Sequence, residues 1–286
     1  MITVNNLEFA YQGAAKDTLH GLDFNIAKGE IFGFLGPSGS GKSTTQKILI
    51  GLLKDYRGSI KVMDKEVRDW DNSLYEKIGV SFELPNHYLK LTALENLEHF
   101  AGFYKHIEFD PKTVLEWVDL SDDADKLTAE FSKGMKIRLN VARALMHDPK
   151  ILFLDEPTSG LDPVNAKRIK DLVLKLRANG TTIFVTTHNM TLADELCDRV
   201  AFITNGKIST IDAPEKLKAK YGRRSVRVEY VDNDNLASTE FELDGLGKNQ
   251  DFMQLIQSGN RIERIHTQET TLDNIFIEVT GKELVR

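Results

Sequence analysis

Short apolar runs recur along the chain as far as residue 203, and most have the length of a strand rather than of a helix. The first segment alternates apolar and polar positions, whereas the later runs are almost continuously apolar. The runs predicted to form strands are 2–9, 23–26, 31–35, 60–63, 78–82, 151–154, 183–186 and 200–203. Continuous apolar strands favour a largely buried sheet, as in α/β proteins.

The pattern changes between residues 91 and 146, where strand signals disappear. Apolar side chains there recur at helical spacing, as in Leu94, Leu97 and Tyr104. The sequence therefore predicts a helical insertion in the sheet domain, at about residues 84–146.

A domain boundary is expected near residue 222. Pro214 can begin a short helix that Gly222 ends, and a new strand-like run starts at residue 225. The predicted domains are therefore 1–222 and 223–286. The elements predicted for the tail are strands at 225–231, 239–243 and 261–267, a helix at 250–257 and a last helix from residue 272. This small α+β domain carries 8 basic and 12 acidic residues and no glycine-rich phosphate loop, so regulation or partner contact is expected of it.

Composition narrows the class of protein. The chain has 286 residues, 41% hydrophobic and 28% charged, which is typical of a soluble globular protein. No apolar stretch approaches the roughly 18 to 20 residues of a membrane helix, and no secretory signal is visible, so a cytosolic location is expected. A net charge of −6 without a long basic block argues against nucleic acid as a partner.

A glycine-rich turn after the run 31–35 matches the phosphate-loop pattern G-x-x-x-x-G-K-[ST] and precedes a predicted helix. Glycines let successive N–H groups point into one anion site, Lys42 can reach the β- and γ-phosphates, and Ser43 can bind Mg²⁺. The nucleotide-binding residues predicted in this turn are Gly36, Pro37, Ser38, Gly39, Ser40, Gly41, Lys42, Ser43 and Thr44.

A second chemical signal is the pair of carboxylates that ends the apolar run 151–154. Asp155 is suited to hydrated Mg²⁺, and Glu156 is suited to polarising an attacking water. The alternative is a solvated strand end with no function. The preceding phosphate loop favours the catalytic interpretation.

Six motifs in order resemble the ATP-binding subunits of ABC transporters. In chain order, the motifs are Tyr11, the phosphate loop, the signature-like segment FSKGM at residues 131–135, the carboxylate pair, the segment SGLD at 159–162, and His188. The resemblance covers about residues 1–220. It implies the P-loop NTPase core of the ABC ATPase type, with an antiparallel β subdomain and a helical insertion, followed by the small C-terminal α+β domain.

The resemblance also implies roles for individual residues. Tyr11 would stack on adenine, although it could be an ordinary loop aromatic, and His188 would contact the γ-phosphate, although it could be a satisfied polar residue. Ser132 and Gly134 would face the nucleotide held by a second copy of the chain or a related subunit. Ser132 could at the same time be an ordinary helix N-cap. The cofactors implied are ATP and Mg²⁺, with Lys42, Glu156 and His188 as the catalytic residues.

Three positions depart from the family pattern. Lys133 and Met135 stand where glycine and glutamine are usual, and Lys133 either faces solvent or contacts phosphate or ribose. Glu83 stands where most relatives carry a glutamine that binds the metal, so it is expected as a metal ligand beside Ser43 and Asp155. An anion there puts glutamine-type positioning of the water in doubt.

The remaining features concern partners. In the family, the helical insertion receives a short helix of a membrane permease, and the residues expected to form this docking groove are 84–91 and Tyr104. The tail, from Glu269 to Gly281, resembles that of drug-resistance-type exporters. An ATPase subunit of an exporter is therefore predicted, peripheral on the cytoplasmic face of the membrane. Two alternatives are a soluble ABC-type ATPase that clamps ribosomes or DNA, and a nucleotide sensor that does not hydrolyse ATP.

Overall fold

The computed structural model describes residues 1–14, 16–222, 225–232, 235–268 and 270–281. Contacts divide the chain into two compact units, Met1–Pro214 and a second unit that begins at Glu215. The short helix that starts at Pro214, which the sequence prediction placed in the first domain, therefore groups with the second unit. Among the described residues, no helix is long and apolar enough to span a membrane.

The first unit contains ten strands and six α-helices among its described residues. The strands are β1 Ile2–Phe9, β2 Leu19–Ile26, β3 Ile31–Leu35, β4 Arg57–Val62, β5 Lys65–Glu66, β6 Ile78–Ser81, β7 Ile151–Asp155, β8 Thr182–Thr187, β9 Arg199–Thr204 and β10 Lys207–Asp212. The helices are α1 Lys42–Leu49, α2 Ala93–Ala101, α3 Pro111–Trp117, α4 Lys133–Leu145, α5 Pro163–Ala178 and α6 Met190–Leu196.

Two sheets form from these strands. The first has the order β2-β1-β4-β5 and is antiparallel. The second has the order β10-β9-β3-β8-β7-β6, in which all neighbours are parallel except β10 and β9. Every residue of β3, β7 and β8 is buried, as continuous apolar runs predict. The predicted fold class, an α/β core with an antiparallel β subdomain, is confirmed.

Register in the second sheet aligns the three strand ends that carry the chemical motifs. Leu35 at the end of β3 pairs with Thr187, and Asp155 at the end of β7 pairs with Thr186. Parallel strands present their carboxyl ends at one edge of a sheet, where ligands of α/β proteins bind. The phosphate loop, the carboxylate pair and His188 therefore leave the sheet at the same edge.

The helical insertion contains α2, α3 and α4. The first of these helices begins with a capping box, in which Thr92 accepts from the Glu95 N–H and the Glu95 side chain accepts from the Thr92 N–H. Buried Asn96 then binds the Tyr88 carbonyl at 3.1 Å and so fixes the segment that enters the helix. The predicted change from strands to helices is confirmed in this region.

Two strands escaped sequence prediction. The edge strand β10 has mostly half-buried residues and the sequence KISTID, which contains no continuous apolar run. The two-residue strand β5 pairs only with β4. Both strands depend on a neighbour for their backbone hydrogen bonds, a contact that local hydropathy does not report.

The second unit contains one antiparallel sheet among its described residues. Its elements are α7 Pro214–Tyr221, β11 Ser225–Asp232, β12 Asn235–Glu242, α8 Gln250–Gln257, β13 Arg261–Gln268 and α9 Leu272–Thr280. The order is β12-β11-β13, with Val226, Val228 and Phe241 as the buried centre. Phe252 and Leu255 of α8 pack against this centre. The predicted helix at 250–257 has the observed bounds, whereas β12 begins four residues earlier than predicted.

Candidate ATPase site

The turn between β3 and α1 has a backbone that only glycine fits at several points. A Cβ on Gly36 would lie 2.2 Å from the Ile203 carbonyl oxygen, and Gly39 and Gly41 have φ values of +76° and +111°. L-residues with side chains rarely adopt such angles. The glycines of the motif are therefore required by the shape of the turn, which curls around the first N–H groups of α1.

The side chain of Lys42 extends back across the inside of this turn. Its ammonium donates to the carbonyl oxygens of Gly36 at 2.6 Å and Pro37 at 3.0 Å, and its side chain is buried. The hydroxyl oxygen of Ser40 is also buried, and it has no hydrogen-bond partner within the described part of the chain. A buried polar group without a partner is costly, so this hydroxyl is suited to a ligand that enters the turn.

The electrostatics of Lys42 connect it with three acidic residues. Burial lowers the pKa of its ammonium, and the charges of Glu156, Asp155 and Glu83, in that order, oppose the shift. Asp155 responds in the opposite sense, because burial and the nearby Glu83 raise the pKa of its carboxyl while the Thr186 bond and Lys42 lower it. One cation and three carboxylates therefore share the mouth of the phosphate loop.

Glu156 is held in place by three donors. Its Oε2 accepts from the Thr187 hydroxyl at 2.8 Å, and its Oε1 accepts from the His188 N–H at 2.9 Å and lies 2.6 Å from His188 Nδ1. Its backbone has a φ of +47°, and its N–H donates to the Thr186 carbonyl. Asp155 and Glu156 are both 8% exposed, which is not the exposure of a solvated strand end.

His188 combines a fixed ring nitrogen with an open face. Its Nδ1 bonds to Glu156, while its side chain remains 51% exposed. Glu83 lies just past the carboxyl end of β6, at the same edge of the sheet, and is exposed. Its charge affects the pKa of Lys42 and of Asp155. The structure thus brings Lys42, Asp155, Glu156, His188 and Glu83 together.

Tyr11 lies beside the first turn of α1. Its hydroxyl is 3.1 Å from the hydroxyl of Thr44, and its ring meets the Phe9 ring edge to face, with centroids 4.9 Å apart. The ring remains substantially exposed. An accessible aromatic face next to the phosphate loop is suited to stacking.

The signature-like segment forms the beginning of α4. Ser132 is the N-cap, and its hydroxyl oxygen accepts from the Met135 N–H at 3.2 Å. A Cβ on Gly134 would lie 3.1 Å from the Leu161 side chain. Lys133 is exposed, and its aliphatic stem lies over Gly160, with Cδ 3.3 Å from where a Cβ would stand. Lys133 therefore covers Gly160 rather than extending freely into solvent.

Sequence reasoning missed the bonds that join α4 to loop 82–87, the segment that carries Glu83. The Asn140 amide donates to the Phe82 carbonyl at 2.8 Å, and Arg143 donates to the Asn86 carbonyl at 3.1 Å. His87 lies 2.9 Å from the Lys136 carbonyl, so its Nε2 is the donor. Burial lowers the pKa of His87 to about 4, which keeps the ring neutral. The polar Asn140 on the buried face of α4 is the one signal that could have indicated these bonds.

An apolar groove lies between the helical insertion and the sheet. It encloses about 870 Å³, and its lining includes Leu52, Tyr75, Tyr88, Phe100, Phe103 and Tyr104. Phe103 is 67% exposed, and Arg143 stacks on Phe100 with its guanidinium 4.4 Å from the ring centroid. Tyr88 and Tyr104, expected for docking from the sequence, both line this groove.

Comparison with known proteins agrees with these observations. A family model described as ABC transporter matches residues 19–159, and one described as fluoroquinolone efflux ABC transporter C-terminal domain matches residues 224–269. A fluoroquinolones export ATP-binding protein of Mycobacterium tuberculosis is 53% identical over 99% of this chain and 94% of that protein. The bacitracin transport ATP-binding protein of Bacillus licheniformis is 33% identical over 94% of each chain.

Solved structures give the same family. A dimeric ATP-binding cassette in a post-hydrolysis state, bound to ADP and Pi, has a TM-score of 0.68 and 29% identity, and the match covers 74% of this chain and 98% of that one. An ATP-binding subunit of an ABC transporter has a TM-score of 0.70 and 27% identity over 77% of this chain and 93% of that one. The chain therefore belongs to the ATP-binding subunits of ABC transporters, and it is an ATPase of the exporter type.

Proposed function

We propose that two copies of this chain hold Mg-ATP between them, and that hydrolysis moves a membrane permease docked in the apolar groove. The observation that carries this proposal is Glu156, a buried carboxylate fixed by three donors at the edge of the sheet where the phosphate loop begins. A carboxylate so oriented can polarise a water that attacks the γ-phosphate. Glu156→Gln tests this role, because it should still bind ATP and hydrolyse it far more slowly.

Mg²⁺ fits the oxygen atoms that surround the phosphate loop. Ser43, Asp155 and Glu83 offer a hydroxyl and two carboxylates, which are the hard ligands this ion prefers. Across the described residues, no group of three or more His, Cys, Asp or Glu side chains could hold a metal alone. Phosphates and waters would complete the shell, as is usual for Mg²⁺. The bound ion would neutralise charge on the phosphates.

The chain's own residues divide the work of hydrolysis. Lys42 would leave the loop carbonyls and bind the β- and γ-phosphates, and Tyr11 would stack on adenine. Glu156 would orient the water. His188, held through Nδ1 by Glu156, would present its exposed face to the γ-phosphate and stabilise the charge that develops there.

The second copy would contribute Ser132 and Gly134. As an N-cap, the Ser132 oxygen accepts a hydrogen bond, so its own O–H proton remains available to a phosphate oxygen. The N-terminus of α4, a helix of thirteen residues, adds its positive end. The N-cap interpretation and the phosphate interpretation are therefore compatible. Lys133 would sit beside the same anion.

The permease would insert a short helix with aromatic or aliphatic side chains into the groove. Phe103 and Tyr88 offer exposed rings for this contact, and Arg143 and His87 in the groove wall are bonded to α4 or to loop 82–87. ATP binding or hydrolysis next to Glu83 or Ser132 would therefore alter the groove wall that the permease contacts.

A charge in the groove should separate this docking from ATP binding. We expect Phe103→Glu to abolish co-purification with the permease and ATP-dependent transport, because a carboxylate would have to be buried against apolar side chains. Nucleotide affinity should be unchanged. Leu174→Glu is the matched control, since Leu174 is 41% exposed on α5 and does not line the groove. Retained co-purification of the Phe103 variant would contradict docking at this groove.

Glu83 should control the metal requirement. We expect Glu83→Gln to raise the half-saturating Mg²⁺ concentration several-fold at saturating ATP, because a neutral amide binds the ion more weakly than a carboxylate. Glu83→Ala should also lower turnover. Glu98→Gln, a change on the exposed surface of α2, is the control. An unchanged metal requirement in both Glu83 variants would make Glu83 an ordinary loop carboxylate.

The exported compound would be an antibiotic, as the relatives named for fluoroquinolones and bacitracin suggest. Co-expression of the chain with its permease in a drug-sensitive host tests this. We expect the inhibitory concentration of a fluoroquinolone, or of bacitracin, to rise with the intact chain and not with Glu156→Gln. The alternatives of a soluble clamp on ribosomes or DNA, and of a sensor without hydrolysis, gain no support from these relatives.

A further inference from the structure

Gln46 is a buried polar residue close to the phosphate loop. It lies in α1 three residues after Ser43, a spacing that puts both side chains on one face of the helix. The residue is 1% exposed. Its amide nitrogen, Nε2, is buried and has no hydrogen-bond partner in the described part of the chain. A buried N–H group without a partner is costly, so a different pairing is expected.

The neighbouring hydroxyl of Thr186 has more acceptors than protons. Its Oγ1 lies 3.3 Å from Gln46 Oε1 and 3.5 Å from the Leu154 carbonyl oxygen, and it also bonds to Asp155 Oδ1. A hydroxyl has one proton to donate. If the ionised Asp155 takes this proton, Gln46 Oε1 receives none, and both ends of the amide lack a partner.

Turning the amide by 180° removes this conflict. The oxygen and nitrogen of an amide exchange places without a change of shape, and their assignment follows from the hydrogen bonds they can make. In the turned orientation, Nε2 takes the place of Oε1 beside Thr186 and donates to its hydroxyl oxygen. The hydroxyl proton is then free for Asp155.

We propose that Gln46 is a positioning residue for Asp155, through a chain in which Gln46 Nε2–H donates to Thr186 Oγ1 and Thr186 O–H donates to Asp155 Oδ1. This chain of hydrogen bonds joins α1 to the ends of β7 and β8. It fixes which oxygen of Asp155 faces the protein and leaves the other oxygen for the metal. The inference rests on the proposed role of Asp155 as a Mg²⁺ ligand.

The expected consequence is a change in metal affinity. Partners behind a ligand typically alter metal affinity or activity by about 10- to 100-fold when they are removed. Polarisation along the chain strengthens each bond in it, so removing either outer member should weaken the hold on Asp155. A glutamine that only fills space would instead affect stability and leave the metal requirement unchanged.

The test compares Gln46→Met, Thr186→Val and the double variant. Mn²⁺ binding to the protein with a non-hydrolysable ATP analogue is measured by electron paramagnetic resonance, and analogue binding is measured separately without metal. We expect metal affinity to fall about 10- to 100-fold in each single variant, and the double variant to lose no more than either. Metal-free analogue binding should be unchanged. Thr186→Ser, which keeps the hydroxyl, should restore metal affinity.

A matched control lies on the same strand. Thr182 is fully buried in β8, and its hydroxyl oxygen accepts from the Gly29 N–H. Thr182→Val therefore removes a buried hydroxyl without changing the hydrogen bonds between Gln46, Thr186 and Asp155. This variant should keep the metal affinity of the unchanged protein. If Gln46→Met does not fold, Gln46→Leu replaces it, because a smaller apolar side chain also cannot donate to Thr186.

A direct observation complements these variants. Nuclear magnetic resonance can detect the side-chain amide hydrogens of Gln46, whose signals are identified by their loss in a Gln46 variant. These hydrogens should exchange slowly with solvent, and their chemical shifts should change in Thr186→Val. Unshifted hydrogens, additive losses in the double variant, or unchanged metal affinity in Gln46→Met would each overturn the proposal. A protein that binds the analogue equally well with and without metal would instead contradict the Mg²⁺ site itself.

Discussion

Replacing Glu156 with glutamine should slow ATP hydrolysis by about 10²- to 10⁴-fold, the usual contribution of a positioned acid or base. Glutamine keeps the size of the side chain and one oxygen that can accept from Thr187 or His188. It lacks the charge that polarises the attacking water. ATP affinity should therefore be retained, and the loss should appear in turnover rather than in binding.

A matched control for this variant is Glu30→Gln. Glu30 is also 8% exposed, but its carboxylate pairs with Arg199 and with the Ala27 N–H, away from the phosphate loop. We expect this variant to be less stable and to hydrolyse ATP at the unchanged rate. Thermal unfolding measures the stability, and phosphate release under saturating Mg-ATP measures the rate of each variant. Turnover in Glu156→Gln comparable with that of the control would assign the water to another residue.

Lys42→Ala should weaken ATP binding by about 30-fold to several thousand-fold, because truncating one partner of a buried charge pair costs about 2–5 kcal/mol. The variant leaves Asp155, Glu156 and Glu83 without the cation that their charges now favour. Each of these carboxylates would then repel the entering phosphates. ATP affinity should therefore fall, and turnover should fall as a consequence.

Fluorescent-nucleotide titration checks the loss of affinity in Lys42→Ala. Lys47→Ala is the control, since Lys47 lies in the same helix and is exposed. Only the first variant should lose binding, and thermal unfolding should show that both are folded. Wild-type affinity in Lys42→Ala would contradict nucleotide binding at the phosphate loop.

Local sequence was sufficient for the parts of the site that short segments build. The run 31–35 forms β3 with its predicted bounds, and the glycine turn after it begins α1 at Lys42. His188 follows β8 directly, because the strand ends one residue later than predicted. These features depend on residues close together in the chain, where hydropathy period and glycine position determine the backbone.

Contacts between distant segments were not predictable in the same way. The bonds from Asn140 and Arg143 to loop 82–87 join positions 57 or 58 residues apart, and Thr186 and Gln46 are 140 residues apart. A polar residue in a helix pattern does not indicate which partner it will find. For Lys133, the sequence left solvent and phosphate as alternatives, and only the fold brings Gly160 beneath its stem.

Two copies of the chain should hold ATP between them. Light scattering of Glu156→Gln, with and without Mg-ATP, measures this association. The variant should bind nucleotide and hydrolyse it so slowly that the two copies do not separate again. A single chain has a mass of 32.3 kDa. We expect that mass without nucleotide and twice that mass with Mg-ATP. A single-chain mass at saturating Mg-ATP, with nucleotide shown to be bound, would contradict the shared site.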